Sequence, residues 1–170
     1  MKKTLLALSF LTLSGLLVLL HGQSANSLRF RLVGTWRLVS ATQRLADGTV
    51  RPDPQTGPKG AGYLIYTDTG QVCVVVCNPE RSRWASVQAP TDADLRNAFG
   101  GLVTYAGTFE VNETERYVVH HIEVDRVPNL TGTDRKRFVS FSANRLVLSA
   151  APPLPTDVKE WKIVWERVGR

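Results

Sequence analysis

The sequence predicts an all-β protein: an antiparallel β-barrel of about eight strands with one short helix, preceded by an export signal. Three observations carry this. Eight short runs rich in β-branched and aromatic residues alternate with turn signals. One segment alone has the helical spacing of apolar residues. No strand–helix–strand rhythm is present, so hairpin connections and an up-and-down order that closes on itself are expected. Of the 170 residues, 43% are hydrophobic and 21% charged. Those proportions exclude a disordered tail, a collagen-like repeat and a multi-span membrane protein.

Residues 1–24 read as a signal peptide and residues 25–170 as the barrel domain. Lys2 and Lys3 form a positive start, Leu5 to Leu20 is almost unbroken apolar chain, and Gly22-Gln23-Ser24-Ala25 follows. Gly22 and Ser24 fit the small-residue rule for cleavage after Ser24. Cleavage after Ala25 would put Gln23 where a small side chain is preferred. The apolar run is slightly short for a comfortable span, which disfavours an uncleaved anchor. No Cys follows the run, which disfavours a lipid-modified lipoprotein. A periplasmic or extracellular location is expected, with no stable membrane span after cleavage.

Loss of Lys2 and Lys3 lowers the formal net charge from +6 to +4. The remaining basic residues are scattered. Arg135-Lys136-Arg137 alternates across a strand and cannot present three charges on one face. A nucleic-acid partner is not expected.

The first long run is Leu32 to Leu45, followed by the hairpin turn Asp47-Gly48. Pro52 to Gly62 is a Pro/Gly-rich loop. Tyr63–Tyr66 and Gln71–Cys77 are strands joined by Thr67-Asp68-Thr69-Gly70. The helix signal comes next: Thr91 as N-cap, Asp92 and Asp94 in the first turn, and Leu95, Ala98, Phe99 and Leu102 on one apolar face. Gly100-Gly101 ends it. Val103–Val111 and Arg116–Val124 flank the turn Asn112-Glu113-Thr114. A loop from Val127 to Gly132, then strands Lys136–Phe141 and Arg145–Ala150, a Pro-rich link and a last strand Trp161–Val168 complete the chain.

Several strands are apolar on both faces, Gln71–Cys77 among them, which suggests outer surface covered by the helix or by a partner. Within that strand, Cys73 and Cys77 are four residues apart and so about 13 Å apart. A disulfide needs Cα atoms within about 7 Å. A regular strand therefore keeps them from bridging each other; the simplest reading is two buried thiols on one strand face, and the alternatives are an intermolecular bridge or a strand end that bends back.

Leu32-Val33-Gly34-Thr35-Trp36-Arg37-Leu38-Val39-Ser40 resembles the opening of the bacterial lipocalin-like domain family. Gly62-Tyr63-Leu64-Ile65-Tyr66-Thr67 with Gly70, Tyr105-Ala106-Gly107-Thr108-Phe109-Glu110-Val111, Val119-His120-His121, Leu146-Val147-Leu148 and Trp165-Glu166-Arg167-Val168 follow in family order. The resemblance covers about residues 30–168. It implies a lipocalin-like β-barrel without a particular ligand or catalytic set. It also implies that Trp36 closes the barrel base, covered by Arg167 from the last strand.

The candidate ligand-binding residues are Tyr66, Tyr105, Phe109, His120 and Arg137. Alternation puts Val118, His120, Ile122 and Val124 on an inner face and Tyr117, His121, Glu123 and Asp125 on an outer one. A neutral inward His120 suits hydrogen bonding, ligand orientation or, in an enzyme, general acid–base work. His121, Glu123 and Asp125 have a spacing that a metal can use, but a solvated face explains it better, and no metal or cofactor is expected. Arg137 shares a face with Val139 and Phe141; if that face is internal, the Arg needs an acidic partner or an anionic ligand, a carboxylate head group being the natural guess, and the alternative is a barrel-rim Arg reaching solvent. The leading expectation is an exported barrel that binds a small apolar or amphipathic molecule. An envelope interaction module with a filled barrel is the alternative, and an isomerase, cyclase or hydrolase using His120 is a third.

Overall fold

The computed structural model describes residues 27–169; the expected signal lies outside them. No helix among the described residues is long and apolar enough to cross a membrane. A short helix α1 (Leu28–Leu32) leads into strand β1 (Gly34–Leu45), a three-residue β2 (Val50–Pro52), β3 (Ala61–Tyr66) and β4 (Gln71–Cys77). Helix α2 (Asp92–Gly100) follows, then β5 (Leu102–Asn112), β6 (Tyr117–Asp125), β7 (Asp134–Ser142), β8 (Arg145–Ala150) and β9 (Val158–Arg167). All pairings are antiparallel: β1 pairs with β3 past the short β2, β3 to β9 pair in sequence order, and β1 has a second edge. That edge pairs with β9 from Trp36↔Arg167 to Leu45↔Val158 and closes an eight-stranded barrel. β2 is an extra strand on the last turns of β1, at Thr42 to Arg44.

The first run begins differently from its expectation. Leu32 ends a helix and does not start a strand. Ser27 caps that helix by accepting from the Phe30 N–H at 3.1 Å. Glu113, from the β5–β6 turn, accepts from the Leu28 and Arg29 N–H groups at 2.6 and 3.1 Å. These are donors that the first turn of a helix leaves unpaired. Leu28 and Leu32 are buried and plug the base of the barrel. The Trp36 indole N–H donates to the Leu32 carbonyl at 2.7 Å, and the Arg167 guanidinium lies 4.1 Å from the Trp36 ring. Arg167 also donates to the carbonyls of Val33, at 2.8 Å, and Arg31. Arg31 covers Phe141 at 3.9 Å. The base is shut by stacked aromatic and guanidinium groups.

The helix expected after Pro90 is present with its full capping box: the Thr91 hydroxyl accepts from the Asp94 N–H, and the Asp94 carboxylate accepts from the Thr91 N–H. Its apolar face is not covered. Leu95 and Phe99 are 48% and 51% exposed, no residue of α2 is buried, and Leu102 belongs to β5. The helix therefore does not cover the barrel wall. Periodicity identifies an apolar face but says nothing of what packs on it.

Strand β6 carries the second departure. Its alternation holds through Val118, His120 and Ile122, all buried. The register then slips: Ala106 faces Val124, yet Gly107 faces Ile122, leaving Glu123 as an extra residue. A one-residue bulge reverses the facing of everything beyond it. Val124 accordingly turns out, at 66% exposed, and the Asp125 carboxylate turns in. The expected outer face of His121, Glu123 and Asp125 therefore does not exist. The bulge needs Gly107: a Cβ there would stand 1.9 Å from the His121 carbonyl oxygen.

Cys73 and Cys77 are free and half-buried. They lie on the outward side of β4, because Val72, Val74 and Val76 take the inner positions. The expectation of two buried thiols is corrected to two thiols on the outer wall, beside exposed Val75, Tyr63 and Ile65.

Candidate functional site

The lower half of the barrel is solid. Trp36, Tyr66, Phe109, Val118, His120 and Leu146 fill it. The upper half holds a cavity of about 480 Å³, within the range of small-molecule sites. Leu38, Leu64, Val74, Leu148, Ile163 and Trp165 supply much of its apolar wall. Asp53, Gln55 and Thr56, then Arg126, Val127 and Leu130, and Pro153 to Pro155 also border it.

The polar side of the cavity comes from β5, β6 and β7. Tyr105, Asp125, Arg135 and Arg137 all line it. Arg135 donates to Asp125 at 2.7 Å, and its guanidinium lies 4.4 Å from the Tyr105 ring. Only the bulge makes this pair possible, since a regular β6 would point Asp125 outward.

Arg137 has no such partner. It donates to the adjacent Lys136 carbonyl at 2.9 Å, and no carboxylate among the described residues lies at ion-pair distance. Burial pushes its pKa below the usual arginine value; the Tyr105 hydroxyl works against that shift and the Arg135 charge adds to it. On the cavity wall Asp125 neutralises Arg135, and Arg137 is left without an ion-pair partner among the described residues. Burying an unpaired charge is costly, and an anionic ligand would relieve that cost.

Tyr105 begins a chain of three rings. The Tyr105 hydroxyl is 2.9 Å from His120 Nδ1, and the Tyr66 hydroxyl is 2.6 Å from His120 Nε2. His120 is buried, and its pKa falls to about 3: burial is the main cause, with the charges of Arg137 and Arg135 adding to it. It is a neutral imidazole at ordinary pH. Burial likewise raises both phenols above their normal pKa, most strongly Tyr66. Phe109 packs edge-on to Tyr66 at 4.7 Å, with Arg29 at 4.7 Å from its ring.

Of the five candidate ligand residues, Tyr105 and Arg137 face the cavity. His120 and Tyr66 stand one layer behind, and Phe109 packs toward the closed base. Arg135 and Asp125 were missed. Arg135 shares a strand face with Arg137, and that signal was in the sequence; Asp125 was hidden by the bulge. Outside the barrel, His121 is held by Asp134 at 2.7 Å, with Glu110 at 3.7 Å from its other nitrogen. Among the described residues no group of three or more His, Cys, Asp or Glu side chains is placed to hold a metal ion.

A crystal structure of a lipocalin-like protein from Bacteroides uniformis is similar at 14% identity and a TM-score of 0.43, over 81% of this chain and 99% of that one. A mutant of the fluorescent protein UnaG is similar at 14% identity and a TM-score of 0.36, over 81% of this chain and 96% of that one. No curated protein matches the sequence. The lipocalin-like domain model matches residues 33–168, and the chain belongs to that family.

Proposed function

We propose that this protein is an exported carrier that binds a small amphipathic molecule, with a carboxylate head, in the upper half of its barrel. The single observation that carries the reading is the cavity of about 480 Å³ with apolar walls and Arg137 unpaired in its side. Export rests on the Lys2-Lys3 start and the apolar run after it. Trp161 and Trp165 in the cavity wall provide a fluorescence readout.

Dodecanoate and dodecanol serve as probes, followed by tryptophan fluorescence. Dodecanoate is expected to bind more tightly. Arg137→Met should weaken dodecanoate by about tenfold or more, the worth of a charge-assisted hydrogen bond, and leave dodecanol nearly unchanged. The same variant should raise the melting temperature of the ligand-free protein, because it removes a half-buried charge that no carboxylate among the described residues neutralises. Absence of binding by both probes would sink the carrier reading. A fall in stability with unchanged selectivity would make Arg137 structural.

A second reading, an envelope interaction module, draws on the outer wall. Tyr63, Ile65 and Val75 are exposed side by side across β3 and β4, next to Cys73 and Cys77. It predicts a chain-to-chain disulfide in the exported protein, visible on a non-reducing gel and lost in Cys73→Ser or Cys77→Ser. A monomer with two free thiols would remove it.

A further inference from the structure

The three-ring chain behind the cavity has a proton count that fixes its direction. A neutral imidazole carries one N–H and one lone pair. Each ring nitrogen of His120 meets a phenol oxygen, so two arrangements exist. In the first, the Tyr105 hydroxyl donates to Nδ1 and Nε2–H donates to Tyr66. The Tyr66 hydroxyl proton then has nowhere to go. Tyr66 is 1% exposed, and its oxygen has no hydrogen-bond partner other than His120 among the described residues. A buried donor left unpaired bears the full desolvation penalty.

In the second arrangement, Tyr66 donates to Nε2 and Nδ1–H donates to the Tyr105 oxygen. Every deep proton is then used. The one hydroxyl proton left over is that of Tyr105, and Tyr105 lines the cavity. Its neighbours favour the same outcome. Arg135, over the Tyr105 ring, and Arg137 are donors only, so neither offers an acceptor that would take the Tyr105 proton.

We infer that Tyr66 and His120 form a one-way hydrogen-bond chain that makes Tyr105 a fixed donor into the cavity, and that Tyr105 and Arg137 together form an oxyanion subsite. The subsite suits a carboxylate or an enolate, which accepts from both groups at once. It offers nothing to an ammonium head, since neither group has an acceptor to spare. His120 touches no ligand; it is a positioning residue, and its Nδ1–H tautomer is the physical content of the inference. The inference rests on the carrier reading and extends it to the chemistry of the head group.

The tautomer is read directly from the two-bond ¹H–¹⁵N spectrum of the full domain with ¹⁵N-labelled histidine. His120 is expected as the Nδ1–H form; an Nε2–H form overturns the inference. Binding supplies an independent arm, with dodecanoate and dodecanol titrated into Tyr105→Phe and Tyr66→Phe. Tyr105→Phe should weaken dodecanoate by about tenfold and change dodecanol little. Tyr66→Phe faces no cavity but removes the proton that keeps Nε2 an acceptor, so the preference for acid over alcohol should fall there too, and less than in Tyr105→Phe. An unchanged preference together with an unchanged His120 tautomer in Tyr66→Phe would show that Tyr66 does not set the direction and would overturn the one-way chain. If the native protein binds neither probe, the carrier reading fails and the subsite with it. If it binds both but Tyr105→Phe leaves the preference intact, the subsite alone fails.

Discussion

Gly107→Ala is expected to cost about 3 kcal/mol or more, an exceptional effect for one added methyl group. The new Cβ would meet the His121 carbonyl oxygen at 1.9 Å and the Glu123 amide nitrogen at 2.9 Å. Both are backbone atoms, so no rotamer change relieves the clash. The β5–β6 ladder must open or lose its bulge. Loss of the bulge would return Asp125 to the outer face and leave Arg135 in the cavity as a second uncompensated charge beside Arg137. Urea unfolding measures the outcome: a lower midpoint at unchanged slope. A variant within about 1 kcal/mol of the native protein would show that the bulge does not depend on this glycine.

Acidification has the second large effect, and it comes from His120. In the folded protein His120 stays neutral down to about pH 3, whereas in the unfolded chain it takes up a proton near its ordinary value of 6.5. The unfolded state therefore binds more protons between those values, and stability falls as pH drops through that window. The slope approaches about 1.4 kcal/mol per pH unit, so the step from pH 6.5 to 4.5 costs about 2–3 kcal/mol. His120→Gln should flatten this limb. An unchanged acid limb in that variant would mean that His120 is not the group responsible.

The adjacent His121 runs the other way. Its hydrogen bond to Asp134 raises its pKa above 6.5. Its contribution is complete below 6.5 and is lost as pH rises through the raised value. The group is about one-third exposed, so the alkaline limb should be shallow. His121→Gln should remove that limb and leave the acid one untouched. Two neighbouring imidazoles thus give opposite pH dependences because one faces the core and the other faces Asp134.

Much of this architecture is visible in the residues. The turn chemistry of Asp47-Gly48, Thr67 to Gly70 and Asn112 to Thr114 marks three hairpins, and β4 and β8 have the ends that their apolar runs suggest. What escaped is short or non-periodic. Five residues of α1 and three of β2 are too few to display a period. The bulge at Glu123 is a single residue whose only sequence trace is Gly107 on the facing strand, and it reverses Val124 and Asp125. The inward Tyr66, Tyr105, His120 and Arg137 follow from simple alternation. Their division into a cavity layer and a buried layer does not, because alternation gives a direction and not a depth.

The plug at the base gives the molecule a kinetic polarity. With Leu28 and Leu32 seated and Arg167 locked over Trp36, the barrel is a cup and not a tube. On the proposed carrier reading, a guest that enters must leave by the route it came, so loading and unloading compete for one doorway and nothing is threaded through. On the same reading, any handover to a donor or acceptor happens at a single rim, one encounter at a time.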